Sequence, residues 1–297
     1  MSEDKHLDEA VWEMRKALQS SSAPRSETEL PVGFEYKPSI VSYFDVLGMK
    51  ELLRAAGADA NVVARVLNIA RQFSTPDRGA AENFGWKFIN FSDLVLRIVP
   101  ILSDANQEVR LGLVFHELLD LAYIQVNLAA QGVLIRGALT IGRITAEQGL
   151  VFGPALANAH ILESTKAVFP RIVVDDMVLA ALKEIPLLRA HNYEEEMGYI
   201  GGLIRQDSDG VWFVDYLGYL LENADDNDEY ADFLQVHNLL VNKQLLEVSN
   251  LDEQTREGKS RRQKAAWLKS YHNTHLERVS AEKLKEETGI DRRTLFV

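Results

Sequence analysis

The sequence predicts an α+β fold with a ferredoxin-like βαββαβ core, and three observations lead there. Apolar runs of strand length, Ile40–Phe44, Trp86–Val99 broken around Asn90–Ser92, Gly132–Gly142 and Arg171–Asp175, alternate with segments of helical period. Two of those helical segments are long: Lys50 to about Phe73, and Val109–Ala130, which is apolar on nearly every side. The order strand, helices, strand, strand, helix, strand, strand, helix, strand then lays helices on one face of an antiparallel sheet.

Taken in chain order, residues 1–32 read as an arm. His6–Gln19 has helical period through Ala10, Val11, Met14 and Leu18, and a polar linker follows at Ser20–Glu29. Residues 33–185 form the core domain. Its first strand stops on Asp45 and turns through Gly48 into a helix that begins near Met49. The following helical stretch breaks at Thr75-Pro-Asp-Arg-Gly79, and Ser92-Asp93 interrupts the next apolar run as a hairpin turn. Gly149–Glu163 is a short strand followed by a helix, with Pro154 at the first helical position. Residues 186–297 differ in texture: a hairpin turning at Asp207–Gly210, an acidic run at Glu222–Asp232, then amphipathic helices to about residue 288.

At 297 residues and 46% hydrophobic, the chain has enough apolar mass for one large domain with appendages. No stretch reads as a bilayer span, and no apolar h-region follows Met1-Ser-Glu-Asp-Lys5, so neither membrane insertion nor a signal peptide is expected. The absence of cysteine excludes disulfides and thiolate metal sites, and fits a reducing, cytoplasmic setting. Any metal must be held by oxygen or imidazole. The net charge of −12 argues against a duplex nucleic-acid surface, which needs a basic patch. The short cluster Lys259-Ser-Arg-Arg-Gln-Lys264 reads as a solvated helix face.

Four charged residues sit where an apolar strand does not want them. Asp45 ends a buried strand, at the place where the N–H groups of the next helix also point. Asp93 repeats the pattern, and two strand-borne aspartates brought together form a metal site. A plainer reading also fits: Asp45 caps the helix and Asp93 fills a turn. Arg136, inside Val133-Leu-Ile-Arg-Gly-Ala-Leu-Thr-Ile141, needs a partner. A triphosphate suits its fork, a structural carboxylate would serve as well, and Gly137 leaves room beside it. By period-two alternation Arg97 shares a face with Asp93 and Val95, and points at substrate if that face holds one. The histidines show no ligand spacing and read as structural, and no phosphate-binding glycine loop or serine nucleophile elbow occurs.

With these residues in place, positions 38–175 resemble the class III nucleotidyl cyclases. Tyr43-Phe-Asp-Val-Leu-Gly-Met-Lys50 matches the strand end that carries that family's first metal aspartate, and Ser92-Asp93 matches its second. Arg136-Gly-Ala-Leu-Thr-Ile-Gly142 is similar to its arginine strand, with the first glycine displaced by one. The residues that serve purines in that family are missing: the transition-state asparagine and arginine fall at Ala157 and Ile161, and the adenine-reading pair at Ile89 and Leu150. Together with Gly153-Pro154, Pro170–Val174 and Trp267–Asn273, this resembles the pyrimidine cyclases of Pycsar antiphage systems.

The resemblance implies conversion of UTP or CTP to a cyclic nucleotide that acts through a separate effector. It implies two Mn²⁺ or Mg²⁺ ions on Asp45, Asp93 and the Val46 carbonyl, with Arg136 and the backbone of Leu47, Gly48 and Met49 on the triphosphate. It further implies Phe44 against the nucleotide, Arg97 reading the base or steadying the transition state, and a head-to-tail homodimer with its sites at the interface. A purine cyclase and an inactive cyclase-like nucleotide sensor are the alternatives.

Overall fold

The computed structural model describes residues 33–57, 59–74, 84–224 and 227–297, and for Lys283 the backbone alone. The expected N-terminal helix, its linker and the break at Thr75–Gly79 lie outside the described residues. Strand β1 (Lys37–Val46) is followed by helices α1 (Met49–Ala56) and α2 (Ala60–Ser74), then by β2 (Lys87–Phe91) and β3 (Leu94–Pro100). The short α3 (Asp104–Glu108) and the long α4 (Leu113–Ala130) lead to β4 (Ile135–Glu147), β5 (Leu150–Phe152), α5 (Pro154–Thr165) and β6 (Ile172–Val174). After α6 (Asp176–Glu184) and α7 (Tyr193–Ile200) come β7 (Ile204–Gln206) and β8 (Trp212–Val214). Helices α8 (Tyr216–Asn223), α9 (Asn227–Ser249), α10 (Arg256–Arg278) and α11 (Ala281–Thr288) complete the chain.

The sheet runs β2-β3-β1-β4-β6-β8-β7, with β5 paired to β4. Its first four strands are all antiparallel and have the ferredoxin-like order. Strand β6 adds on parallel to β4, and the β7–β8 hairpin extends the same sheet. Residues Tyr36–Val297 form one compact unit.

Period-two alternation along β1 sorts its residues. Ile40, Phe44 and Val46 join the main core with α1, α2 and α4, while Val41 and Tyr43 face the other way, onto Ala155 and Ala159 of α5. The helices therefore do not all lie on one face. Alanine at 155 and 159 lets α5 approach the second face closely.

Helix α4 is the centre of the main core, with Leu118, Leu121 and Leu128 wholly buried, each contributing about 1.5–3 kcal/mol of apolar burial. By length and composition α4 can cross a membrane, contrary to the expectation that no stretch qualifies. Most of it is buried against the sheet and α8, the setting of a core helix. The expected helix over Lys50–Phe73 is two helices, broken at Gly57, where φ is +55°.

Candidate functional site

The site lies where β1 ends. Asp45 stands opposite Arg136 on β4 and opposite Leu94 on β3, and the Val46 N–H donates to the Asp93 carbonyl at 3.2 Å. The two aspartates that the sequence singled out are thus carried on adjoining backbone. Asp93 sits in a two-residue turn closed by Ser92, which takes φ +56°.

Arg136 forks onto Asp45, Nε to Oδ1 at 3.0 Å and Nη2 to Oδ2 at 3.1 Å. Nη2 also lies 2.5 Å from Glu163 Oε1 of α5, although without the alignment of a hydrogen bond. Asp45 and Arg136 are each about one-quarter exposed, whereas the Glu163 side chain is 5% exposed. Burial pushes the Glu163 carboxyl up, Arg136 pulls it down, and Asp45 pushes it up again. Tyr43, on the same face of β1, reaches His160 with O–H and Nδ1 3.3 Å apart. Burial and then the charges of Glu163, Asp45 and Asp93 raise its phenol above the ordinary range, with Arg136 opposing. One arginine, three carboxylates and one phenol therefore share this corner of the sheet.

The turn into α1 supplies backbone. Gly48 takes φ +81°, which permits the tight entry to the helix. The Leu47 N–H is already given to the Leu134 carbonyl at 2.8 Å, so among Leu47, Gly48 and Met49 only the last two are candidates for an anion. Met49 keeps its side chain in the core.

Three expectations are corrected. Phe44 is 1% exposed and packs into the main core, on the face of β1 opposite Asp45, so it cannot lie against a nucleotide there. Arg97 does share a face with Val95, but that face is covered by α4. Its guanidinium meets Glu117 at 2.7 and 2.9 Å, Asp120 at 2.6 Å and the Ser74 carbonyl at 3.1 Å. Every group of the fork is taken by protein. Gly137 leaves no room for a bulky ligand: a Cβ there would come within 2.4 Å of Phe44 Cβ and the Tyr43 carbonyl, so the glycine serves close packing of β4 on β1.

Sequence reasoning missed Glu163, Tyr43, His160 and Lys264. Lys264, on α10, is half-buried near this corner, and its amine is held below the usual lysine range by burial and by Arg136, while Asp45 and Glu51 oppose. Tyr43 lies inside the Tyr43–Lys50 motif and Glu163 at the end of Gly149–Glu163. Their signal was position on the Asp45 face of β1 and one helical turn beyond His160.

Among the described residues no group of three or more His, Asp or Glu side chains forms a metal cage. Two carboxylates and a backbone carbonyl are hard oxygen donors, and Mg²⁺ is commonly held by one or two carboxylates with substrate phosphates completing its shell. The donor set of Asp45, Asp93 and Val46 fits Mn²⁺ or Mg²⁺ on that basis, once Arg136 yields the Asp45 oxygens.

No family model matches the sequence, and no curated protein does. The chain is similar to the monomeric guanylyl cyclase domain of the RhoGC fusion protein from the aquatic fungus Blastocladiella emersonii, at 14% identity over 61% of this chain and 96% of that one, TM-score 0.38. It is similar to a class III adenylyl cyclase-like ATP-binding protein from Pseudomonas aeruginosa, at 14% identity over 65% of this chain and 49% of that one, TM-score 0.37. The catalytic core of a rhodopsin-guanylyl cyclase with converted specificity, in complex with ATPαS, is a third, at 14% identity, 61% and 98% coverage and TM-score 0.35. These neighbours are class III nucleotidyl cyclase domains, at TM-scores that transfer neither their activity nor their substrates to this chain.

Proposed function

We propose that the chain is a pyrimidine nucleotide cyclase, converting UTP or CTP to 3′,5′-cyclic UMP or cyclic CMP and pyrophosphate. The observation that carries this reading is the adjoining backbone of Asp45 and Asp93, beside Arg136 and the Gly48 turn at one strand end. The resemblance of the motifs supplies the reaction class. The apolar or small residues at Ile89, Leu150, Ala157 and Ile161, where purine enzymes keep their reading and transition-state groups, favour a pyrimidine.

In this reading Asp45, Asp93 and the Val46 carbonyl hold two divalent ions. Mn²⁺ or Mg²⁺, when bound, supplies the Lewis acidity that lowers the pKa of the ribose 3′-hydroxyl and takes charge from departing pyrophosphate. Arg136 leaves Asp45 for the triphosphate and keeps Glu163 as its anchor, and the N–H groups of Gly48 and Met49 orient the phosphates. The bond from the α-phosphorus to the bridging oxygen breaks as the 3′-oxygen bonds to that phosphorus, and the hydroxyl proton passes to solvent. The proposal extends to a head-to-tail homodimer, a cytoplasmic setting and a role in antiphage defence through a separate effector that senses the product, all on the resemblance.

The test is a product assay by mass spectrometry of the full chain with Mn²⁺ and each of the four ribonucleoside triphosphates. Cyclic UMP or cyclic CMP is expected, and is lost in Asp45→Asn and Asp93→Asn. A cyclic purine product would overturn the base assignment, and no cyclic product from any substrate would overturn the activity. One observation favours a second reading, a nucleotide sensor without turnover: both Asp45 oxygens are already occupied by Arg136. Calorimetry would then show triphosphate binding with no product.

A further inference from the structure

Helices α9 and α10 close one wall of the space beside the Gly48 turn. A cleft of about 540 Å³ lies between the Gly48 turn and helices α9 and α10, a volume in the range of small-molecule sites. Its cationic lining comes from Lys243, Arg261 and Lys264, and its acidic lining from Glu51 and Glu247. Glu247 is drawn off by Lys243 on its own helix, at 4.0 Å, and by Arg261 across on α10, at 3.7 Å. Lys264 differs. Among the described residues its ammonium makes no hydrogen bond and no ion pair within 4.0 Å, although it is half-buried in the cleft wall with Glu51 and feels the charge of Asp45.

Helix α10 is fixed firmly enough to hold that lysine in place. Lys264, Trp267, Leu268 and Tyr271 recur at helical spacing, so they share the face turned to the core. Trp267 Nε1 donates to Asp207 at 2.6 Å and its ring stacks on Phe169, with centroids 5.7 Å apart. Tyr271 donates to Asp215 at 2.8 Å and accepts the Leu217 N–H at 2.9 Å. Asp207 in turn binds the wholly buried Arg171, which follows Pro170 in the cleft wall. The docking residues thus carry Lys264, one turn away, into the corner that holds Asp45. Lys259, in the same basic cluster, stays exposed.

We propose that α10 supplies Lys264 and Arg261 as receptors for the polyphosphate tail of the nucleotide, the cleft taking the phosphates beyond the one that the carboxylate pair addresses. This deepens the nucleotide reading and rests on it. A cation half-removed from water, without a partner and beside a glycine turn with free N–H groups, is the chemistry that a condensed phosphate meets. The C-terminal region is then part of the site in the same chain.

The test is calorimetric titration of the full chain with sodium tripolyphosphate in Mg²⁺ buffer, followed by displacement with UTP and with uridine. Binding needs no turnover, so its result is separate from that of the product assay. We expect tripolyphosphate to bind, and Lys264→Gln and Arg261→Gln each to weaken it about tenfold, with Lys259→Gln unchanged. UTP should displace it and uridine should not. Lys264→Arg, which keeps the charge, should retain most of the affinity and guards against a folding defect in Lys264→Gln. No tripolyphosphate binding by the wild type overturns the proposal. Equal affinity in wild type and Lys264→Gln, or UTP that fails to displace the anion, does so as well.

Discussion

Two arginines in similar strand settings illustrate how partners decide a residue's task. Arg136 keeps one-quarter of its side chain in solvent and forks onto Asp45, which is equally exposed, so in the proposed reaction it exchanges that one carboxylate for phosphate. Arg97 cannot, because the Glu117 side chain beneath it is 2% exposed and has Ser42 and Arg97 as its partners. Replacing Arg97 by Met leaves that carboxylate charged and buried, so we expect a loss of about 3–5 kcal/mol in urea denaturation. Nucleotide affinity of the folded variant should be unchanged. A stable Arg97→Met variant that no longer binds UTP would restore Arg97 to the site. The sequence shows both arginines as anomalies and does not distinguish them, because the distinction depends on which helix covers which face. Likewise Phe44 and Asp45 are neighbours in sequence and lie on opposite sides of the sheet.

At the scale of elements, strands and helices were legible where the apolar period is strong, as in β1, the β2–β3 hairpin and the Gly-Pro start of α5. Their layering was less so. That α5 crosses to the far face depends on Ala155 and Ala159 meeting Val41 and Ile144, a contact between distant positions. The docking of α9 and α10 was equally hidden, since it runs through a buried chain of Tyr216, His237, His272 and the Leu295 carbonyl, with Tyr230 and His275 beside it. Burial lowers all three histidines, His237 and His272 in direction and His275 to about 4; neighbouring His272, Arg278 and Arg205 add to the lowering at His275, while Asp215 opposes it. A histidine lowered in the fold binds its proton more readily once unfolded. Stability is therefore full above about pH 6.5 and falls as pH drops from there toward 4. His275 alone accounts for about 2 kcal/mol lost at pH 5. Denaturant titrations at pH 7.5 and pH 5 measure it. No loss between them, or a gain, would show that these rings are not held neutral.

Over the whole molecule, one sheet joins the ferredoxin-like core to the C-terminal region, and the proposed site draws on both. Asp45, Asp93 and Arg136 were legible because a charge inside an apolar strand is conspicuous. Glu163 and Lys264 were not, since a charge on a helix is ordinary until the fold turns it inward. The proposed reaction requires that Asp45 and Asp93 share divalent ions at the end of β1. Crystals of the full chain grown with Mn²⁺ and a non-hydrolysable UTP analogue, measured at the manganese edge, test this directly. We expect two anomalous peaks about 4 Å apart, bridged by both carboxylates, with Arg136 moved from Asp45 to the phosphates. Arg136 still forked on Asp45, with no manganese between the two aspartates, would contradict the account.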